Sequence, residues 1–312
     1  MATLVPPVSA TDAVRRALQG RRSSLAGLAF QAVVMVALLV SLLILVVLLA
    51  DVVSGGWGVL VGRGWDFLTS PTSPDPGEVG VWQGIRGSLF IAVAITVIAF
   101  PLGVGAALYM EEYAPDNRFT RLIDVTIRNL AGVPSVVYGI LGLAIFVQAL
   151  ARLTGGDSVL SAGVTIAILV LPIVIITSAE AIRAVPDSIR EAGFGVGATR
   201  WEVIRSHVLP YAAPGILTGT VLSLSRGLGE AAPLILVGAI DGFFVTGGDP
   251  GLLDELQGKF TALPNLVFNF AQQPGRVFVE EIAPATIIVL LSVVLLANVA
   301  AILARNHYEK KR

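Results

Sequence analysis

One arginine stands inside a long apolar stretch, in the run Ser223-Leu224-Ser225-Arg226-Gly227-Leu228-Gly229-Glu230. A charge at membrane depth costs roughly 2.5 to 3.5 kcal/mol on insertion scales, so such a residue is paired or lines an aqueous route. The planar guanidinium of Arg226 offers several donors to the oxygens of an anion, and Ser223 and Ser225 add hydroxyls. Glu230 comes four residues later on the same helical face and can pair with Arg226. Its own charge would repel an anion, which suits a gate or counter-charge. Gly227 and Gly229 keep the backbone open, while Pro233 removes a donor and kinks the segment. Arg226, Glu230, Ser223 and Ser225 are therefore candidate lining for an anion pathway. A plainer role stands beside it, in which the ion pair only holds helices together.

Other chemistry has little to work with. There is no Cys, and the two His, His207 and His307, share no ligand cluster. Disulfides, thiolate nucleophiles and zinc sites are removed. The apolar segments hold no His, Cys or paired-Asp constellation, so no catalytic residue and no metal is expected.

The elements that must position Arg226 follow from composition. A chain of 312 residues with 55% hydrophobic and 14% charged residues and a mean hydropathy of +0.82 is not an ordinary soluble globule. Six segments reach the roughly 20 residues that a helix needs to cross the hydrocarbon layer: 25–53, 88–110, 129–151, 159–180, 213–239 and 282–304. Backbone amides must be satisfied within each span, so the fold class is an all-α integral membrane protein. The first span is too long for a signal peptide and is expected to be retained. A net charge of -1 argues against nucleic acid; membrane lipid is the expected surroundings.

Lys and Arg set the orientation. Fifteen of the 21 fall in the tail 1–24 (Arg15, Arg16, Arg21, Arg22), the second-to-third loop, the fourth-to-fifth loop and the tail 305–312; five fall on the opposite side, and Arg226 is within a span. Both termini are expected in the cytoplasm. The segment 54–87, rich in Gly and Pro, is expected to be an extracytoplasmic loop. The segment 240–281 is expected to be a second one, with a short surface helix in its amphipathic part, 252–270.

The cytoplasmic loop 181–212 carries a polar, glycine-bearing insert, EAGFGVGATRWEVIRSHVLP from Glu191 to Pro210. Pro186 with Asp187 and Ser188 reads as a helix start, short oxygen acceptors facing the first free amides. This first helix runs through Glu191. Gly193, Gly195 and Gly197 allow a reversal. Thr199 and Glu202 have capping-box spacing and open a second helix, on which Trp201, Ile204 and Val208 share a face. Pro210 and Pro214 end the loop and start the next span. No Gly-Lys-Ser/Thr follows the glycines, so ATP is not expected to bind this chain.

Glu191, Ala192, Gly197, Leu209 and Pro210 stand at the spacing of the EAA loop, and the insert resembles that of the permease subunits of ABC importers. Gly193 and His207 depart from the pattern. Gly193 replaces a usual Ala, which loosens the first helix by roughly 0.5 to 1 kcal/mol; His207 replaces an aliphatic. The runs Asn129 to Gly139 and Ser225 to Pro233 resemble the phosphate importer's permeases, of the PstA type, and the likeness covers about 88–304. It implies the type I permease fold, with six transmembrane helices and a coupling-helix loop in which Glu191, Ala192, Gly197, Trp201, Leu209 and Pro210 meet an ATPase. It also implies a second, related permease subunit, two copies of an ATP-binding subunit that hold ATP and Mg, and an extracytoplasmic phosphate-binding protein. The bacterial inner membrane is the implied location. No cofactor is implied in this chain itself. A-type and C-type subunits, homodimer and heterodimer, and a sulfate or molybdate substrate stay open; so does an ATPase-independent ion-coupled transporter.

Overall fold

The computed structural model describes residues 25–239 and 256–309. The basic residues Arg15, Arg16, Arg21, Arg22, Lys310, Lys311 and Arg312, and the segment 240–255, lie outside the described residues. Every regular element described is helical. Five helices are long and apolar enough to cross a membrane, and a sixth span results when one bent pair is counted as a unit.

The chain divides into two units, Met1–Asp51 and Val52–Arg312. Helix α1, Leu25–Thr69, begins in the first. Its aliphatic side chains up to Leu49 are exposed on all sides, the pattern of a helix solvated by lipid. The helix continues beyond the expected end at residue 53, so the segment 54–87 is not an open loop. It is helical to Thr69, with one break at Gly64 (φ 43°), and again from Trp82. In the second unit Gly56 approaches the chain at Pro284 and Ala285 so closely that a Cβ would lie 2.5 Å from the Ala285 amide nitrogen.

Helix α2, Trp82–Tyr113, is the second span. The third differs from expectation. Residues 129–131 end an amphipathic helix, α3 (Arg118–Ala131), and the span proper is α4, Ser135–Ala149, set at 99° to it. Pro134 occupies the corner, and the Tyr138 hydroxyl donates to the Leu130 carbonyl across it at 2.9 Å. Helix α5, Val159–Arg183, starts at the Ser158 cap and is the most buried span. Helix α6 (Asp187–Gly195) and the first part of α7 (Arg200–Gly229) form the loop. The short α8 (Ala232–Leu236) follows, then α9 (Leu263–Gln272) and α10 (Phe278–Leu303). Residues 252–255 of the segment 252–270 lie outside the described residues; in the rest the expected short helix is α9, which runs on to Gln272 and does not lie free on a surface: Leu263, Leu266 and Phe270 are buried, and the Leu263 amide donates to Ser88 Oγ at 3.0 Å.

Lipid offers no hydrophobic gain for bringing spans together, so association depends on close packing at small residues. A Cβ on Gly103 of α2 would lie 2.6 Å from Val174 Cγ1 of α5, and one on Gly215 of α7 would lie 2.7 Å from Ala181 Cβ of α5. Ile166, Val170 and Val174 of α5 are buried at the centre of this contact.

Four helices pass a proline without stopping, α5 at Pro172 and three others with a widened turn. Wide π turns at Ile95–Ala99, Ile204–Val208 and Phe278–Ile282 precede Pro101, Pro210 and Pro284 by two residues each. Proline lacks an amide hydrogen and its ring crowds the carbonyl four residues back. Bonds reaching five residues back widen the turn and relieve that crowding.

Candidate functional site

The loop is built by backbone geometry at two glycines. Helix α6 begins at Asp187 as expected, but no side chain caps it, and it continues past Glu191 to Gly195. Gly197 adopts φ 82°, a left-handed conformation that other residues enter only at a cost. Its amide donates to the Phe194 carbonyl at 3.0 Å, and the Ala198 amide to Gly193 at 3.2 Å, which reverses the chain. Gly193 is buried, and a Cβ there would lie 2.7 Å from Val203 Cγ2. Its missing methyl is what lets α6 and α7 pack together, a role separate from its effect on the helix propensity of α6.

Thr199 and Glu202 form the expected capping box: the Thr199 amide donates to Glu202 Oε2 at 2.7 Å, and the Glu202 amide to Thr199 Oγ1 at 3.4 Å. Ile204 and Val208 are buried, but Val203 completes their face. Trp201 turns outward, 51% exposed. Pro210 does not begin a separate span; α7 runs through it and Pro214. Glu191, Ala192, Gly197 and Pro210 are exposed, Leu209 and His207 respectively half-buried and exposed. With Phe194 at 49% and Val196 at 84% exposure, Trp201 gives this loop an apolar, outward-facing surface beside Glu191.

A second cluster was not anticipated from sequence. Three consecutive residues at the end of α2 each hold a different arginine. Arg183 Nε donates to Glu111 Oε2 at 3.1 Å. Arg190 donates to Glu112 Oε1 from Nε at 3.1 Å and from Nη2 at 2.9 Å. The Arg200 guanidinium lies 5.3 Å from the centre of the Tyr113 ring. Arg190 also reaches the Val185 carbonyl (2.6 Å), the Ile182 carbonyl (3.0 Å) and Asp187 (3.1 Å). Asp187 thus serves Arg190 and not the helix start. The available signal was two carboxylates ending an apolar span, opposite in sign to the arginines of the loop.

The Arg226 segment differs from a continuous helix. Helix α7 stops at Gly229, and Glu230 is extended (φ -82°, ψ 116°) before α8 starts with Pro233 in its first turn. Arg226 Nε and Glu230 Oε1 are 3.6 Å apart, an ion pair too long for a hydrogen bond. At 44% exposure of the arginine side chain its worth is of order 1 kcal/mol. Ser223 is fully buried and donates to the Gly219 carbonyl at 2.9 Å, away from Arg226. Ser225 lies 2.7 Å from Asn298 Oδ1 and 2.9 Å from the Val221 carbonyl, tying α7 to α10. Gly229 is open, but Gly227 is packed, since a Cβ there would lie 2.6 Å from Ile95 Cδ1. The structure therefore brings Arg226 and Glu230 together at a helix break and turns the two serines to packing. No group of three or more metal-ligating side chains occurs among the described residues.

The chain is similar to known proteins. Residues 99–312 match the family described as "Binding-protein-dependent transport system inner membrane component". The phosphate transport system permease protein PstA 1 of Mycobacterium tuberculosis is 33% identical over 275 residues, 88% of this chain and 86% of its own. The phosphate transport system permease protein PstC of Mesorhizobium japonicum is 28% identical over 304 residues, 90% of each chain. Among solved structures, an inward-facing MetNI methionine ABC transporter chain aligns with a TM-score of 0.54 at 16% identity, over 73% of this chain and 97% of that one. At that identity the likeness concerns the fold alone.

Proposed function

We propose, because this chain belongs to the binding-protein-dependent transport system inner membrane component family of ABC transporter permeases, that it forms the translocation path of an ATP-driven inorganic phosphate importer. One observation carries the reading. Arg226 stands at a helix break with its guanidinium nearly half exposed, and among the described residues a single long ion pair of order 1 kcal/mol restrains it. A phosphate with one to two negative charges and oxygens matched to a guanidinium competes well for that group. Glu230 is then the counter-charge that Arg226 holds between substrate passages.

The same reading assigns the exposed surface around Glu191, Ala192, Gly197, Trp201, Leu209 and Pro210 to an ATPase. The partners are a second permease of the family, two ATP-binding subunits that hold ATP and Mg, and an external phosphate-binding protein. The loop and both termini lie in the cytoplasm. Closure of the ATP-binding subunits draws the loops together and reorients the spans, and hydrolysis resets them.

The test is uptake of labelled phosphate at low external concentration, with sulfate and molybdate as competitors, in cells lacking this chain and complemented with the intact, Arg226→Ala or Glu191→Ala form. The intact chain should restore phosphate-specific uptake. Arg226→Ala should abolish it while the ATPase still co-purifies, and Glu191→Ala should impair coupling. Full uptake by Arg226→Ala refutes its pathway role; restored transport of another oxyanion keeps the architecture and overturns the substrate.

A further inference from the structure

The three consecutive residues Glu111, Glu112 and Tyr113 lie in a π turn, Tyr109–Tyr113, that ends α2. Each engages an arginine from a different part of the loop: Arg183 at its entrance, Arg190 in α6, Arg200 at the start of α7. We propose that this turn is the receiver through which displacement of the loop is delivered to the second span. The inference rests on the loop being the ATPase-docking element proposed above.

Exposed ion pairs alone would not support this, because most contribute little. The Glu112–Arg190 pair is different. Glu112 is 8% and Arg190 19% exposed, and Arg190 uses Nε, Nη1 and Nη2 together. Those donors fasten α6 at once to α2, through Glu112, and to the end of α5 and the turn that follows it, through the Ile182 and Val185 carbonyls. Lysine has one nitrogen and cannot hold that fork. The wide turn contributes as well. Successive residues in it are about 80° apart around the axis, compared with about 100° in an α-helix, which narrows the arc that three neighbours cover. Glu112, Arg190, Arg183 and Tyr113 are thus positioning residues; none is offered as a substrate contact.

The experiment uses the complete complex, this chain with its partner permease and ATP-binding subunits, in proteoliposomes with the external binding protein. The readout is phosphate accumulated per ATP hydrolysed. Arg190→Lys and Glu112→Gln should leave ATP hydrolysis running while that ratio falls about tenfold, within the usual range of coupling between sites. Tyr113→Leu, which leaves no buried charge behind, should shift it the same way by less. An unchanged ratio in variants that assemble overturns the proposal.

A second measurement holds even if the buried-pair variants fail to assemble. The chain has no Cys, so in a complex whose partner subunits are made cysteine-free, spin labels at Tyr109→Cys and Ser188→Cys, both exposed positions, report only the separation of receiver and loop. That distance should be the same in nucleotide-free and ATP-trapped complexes, because the two move as one body. A change between the states overturns the linkage. Failure of the intact complex to accumulate phosphate would instead overturn the substrate reading, which the label distance does not depend on.

Discussion

Adding one methyl group at Gly193 tests how the loop is packed. Ala is the residue that the loop motif usually carries there, and on helix propensity alone Gly193→Ala should stabilise α6 by about 0.5 to 1 kcal/mol. The structure reverses that expectation. The new Cβ would lie 2.7 Å from Val203 Cγ2 and 3.3 Å from Cγ1, whereas carbon atoms rest about 3.5 to 4.0 Å apart. Val203 is 1% exposed and branched at Cβ, so it has no free rotamer to yield into. The helices must part by about 1 Å, and overpacking of this kind costs about 1 to 3 kcal/mol. The net effect is destabilising by about 0 to 2.5 kcal/mol, and it displaces the surface around Glu191. The assay is thermal inactivation of the purified complex, followed as loss of the ATP-binding subunit, together with uptake. Gly193→Ala should lower both, and Val203→Ala in the same chain should restore them, because it removes both clashing carbons. A Gly193→Ala chain that is more stable than the parent and as active refutes the packing argument and leaves helix propensity in control.

Gly197→Ala should weaken the same complex by about 1 to 2 kcal/mol through left-handed strain alone, since nothing crowds the site. Gly197→Asn should cost less, and equal losses would refute strain as the cause. Ser225→Ala and Asn298→Ala should each loosen α7 from α10. In a double-mutant cycle on thermal inactivation their coupling should be about 0.6 kcal/mol, and zero coupling would deny the contact.

Much of the fold is legible in the residues because lipid demands long, unbroken apolar runs, and five such helices are present. The capping box at Thr199 and Glu202 was legible for a local reason, both partners lying within four residues. What escaped depended on distant partners or on backbone freedom. The corner at Pro134 is fixed by Tyr138 reaching Leu130, and the apolar run across it reads as one span. The break at Glu230 follows two glycines and precedes a proline, which suggested a kink; the i,i+4 spacing to Arg226 still read as one helical face. Ser223 and Ser225 look like pathway hydroxyls beside Arg226, yet a serine in an apolar helix readily donates to the carbonyl four residues back. Glu112 and Arg190 are 78 residues apart, and no local pattern joins them.

The wide turn before Pro210 holds one residue more than an α-helical turn would. One residue corresponds to about 100° of rotation along a helix. Five residues at about 80° each turn through about the same angle as four at about 100°, so deleting a single position from 204–208 returns the turn to α geometry and leaves Arg200, Trp201 and Glu202 facing as they do. The same deletion in an ordinary α-helical stretch of α7 would swing them through more than a quarter turn relative to the span below. The wide turn is therefore a place where chain length can change by one residue while the loop keeps its aim and Arg226 and Glu230 stay where they are.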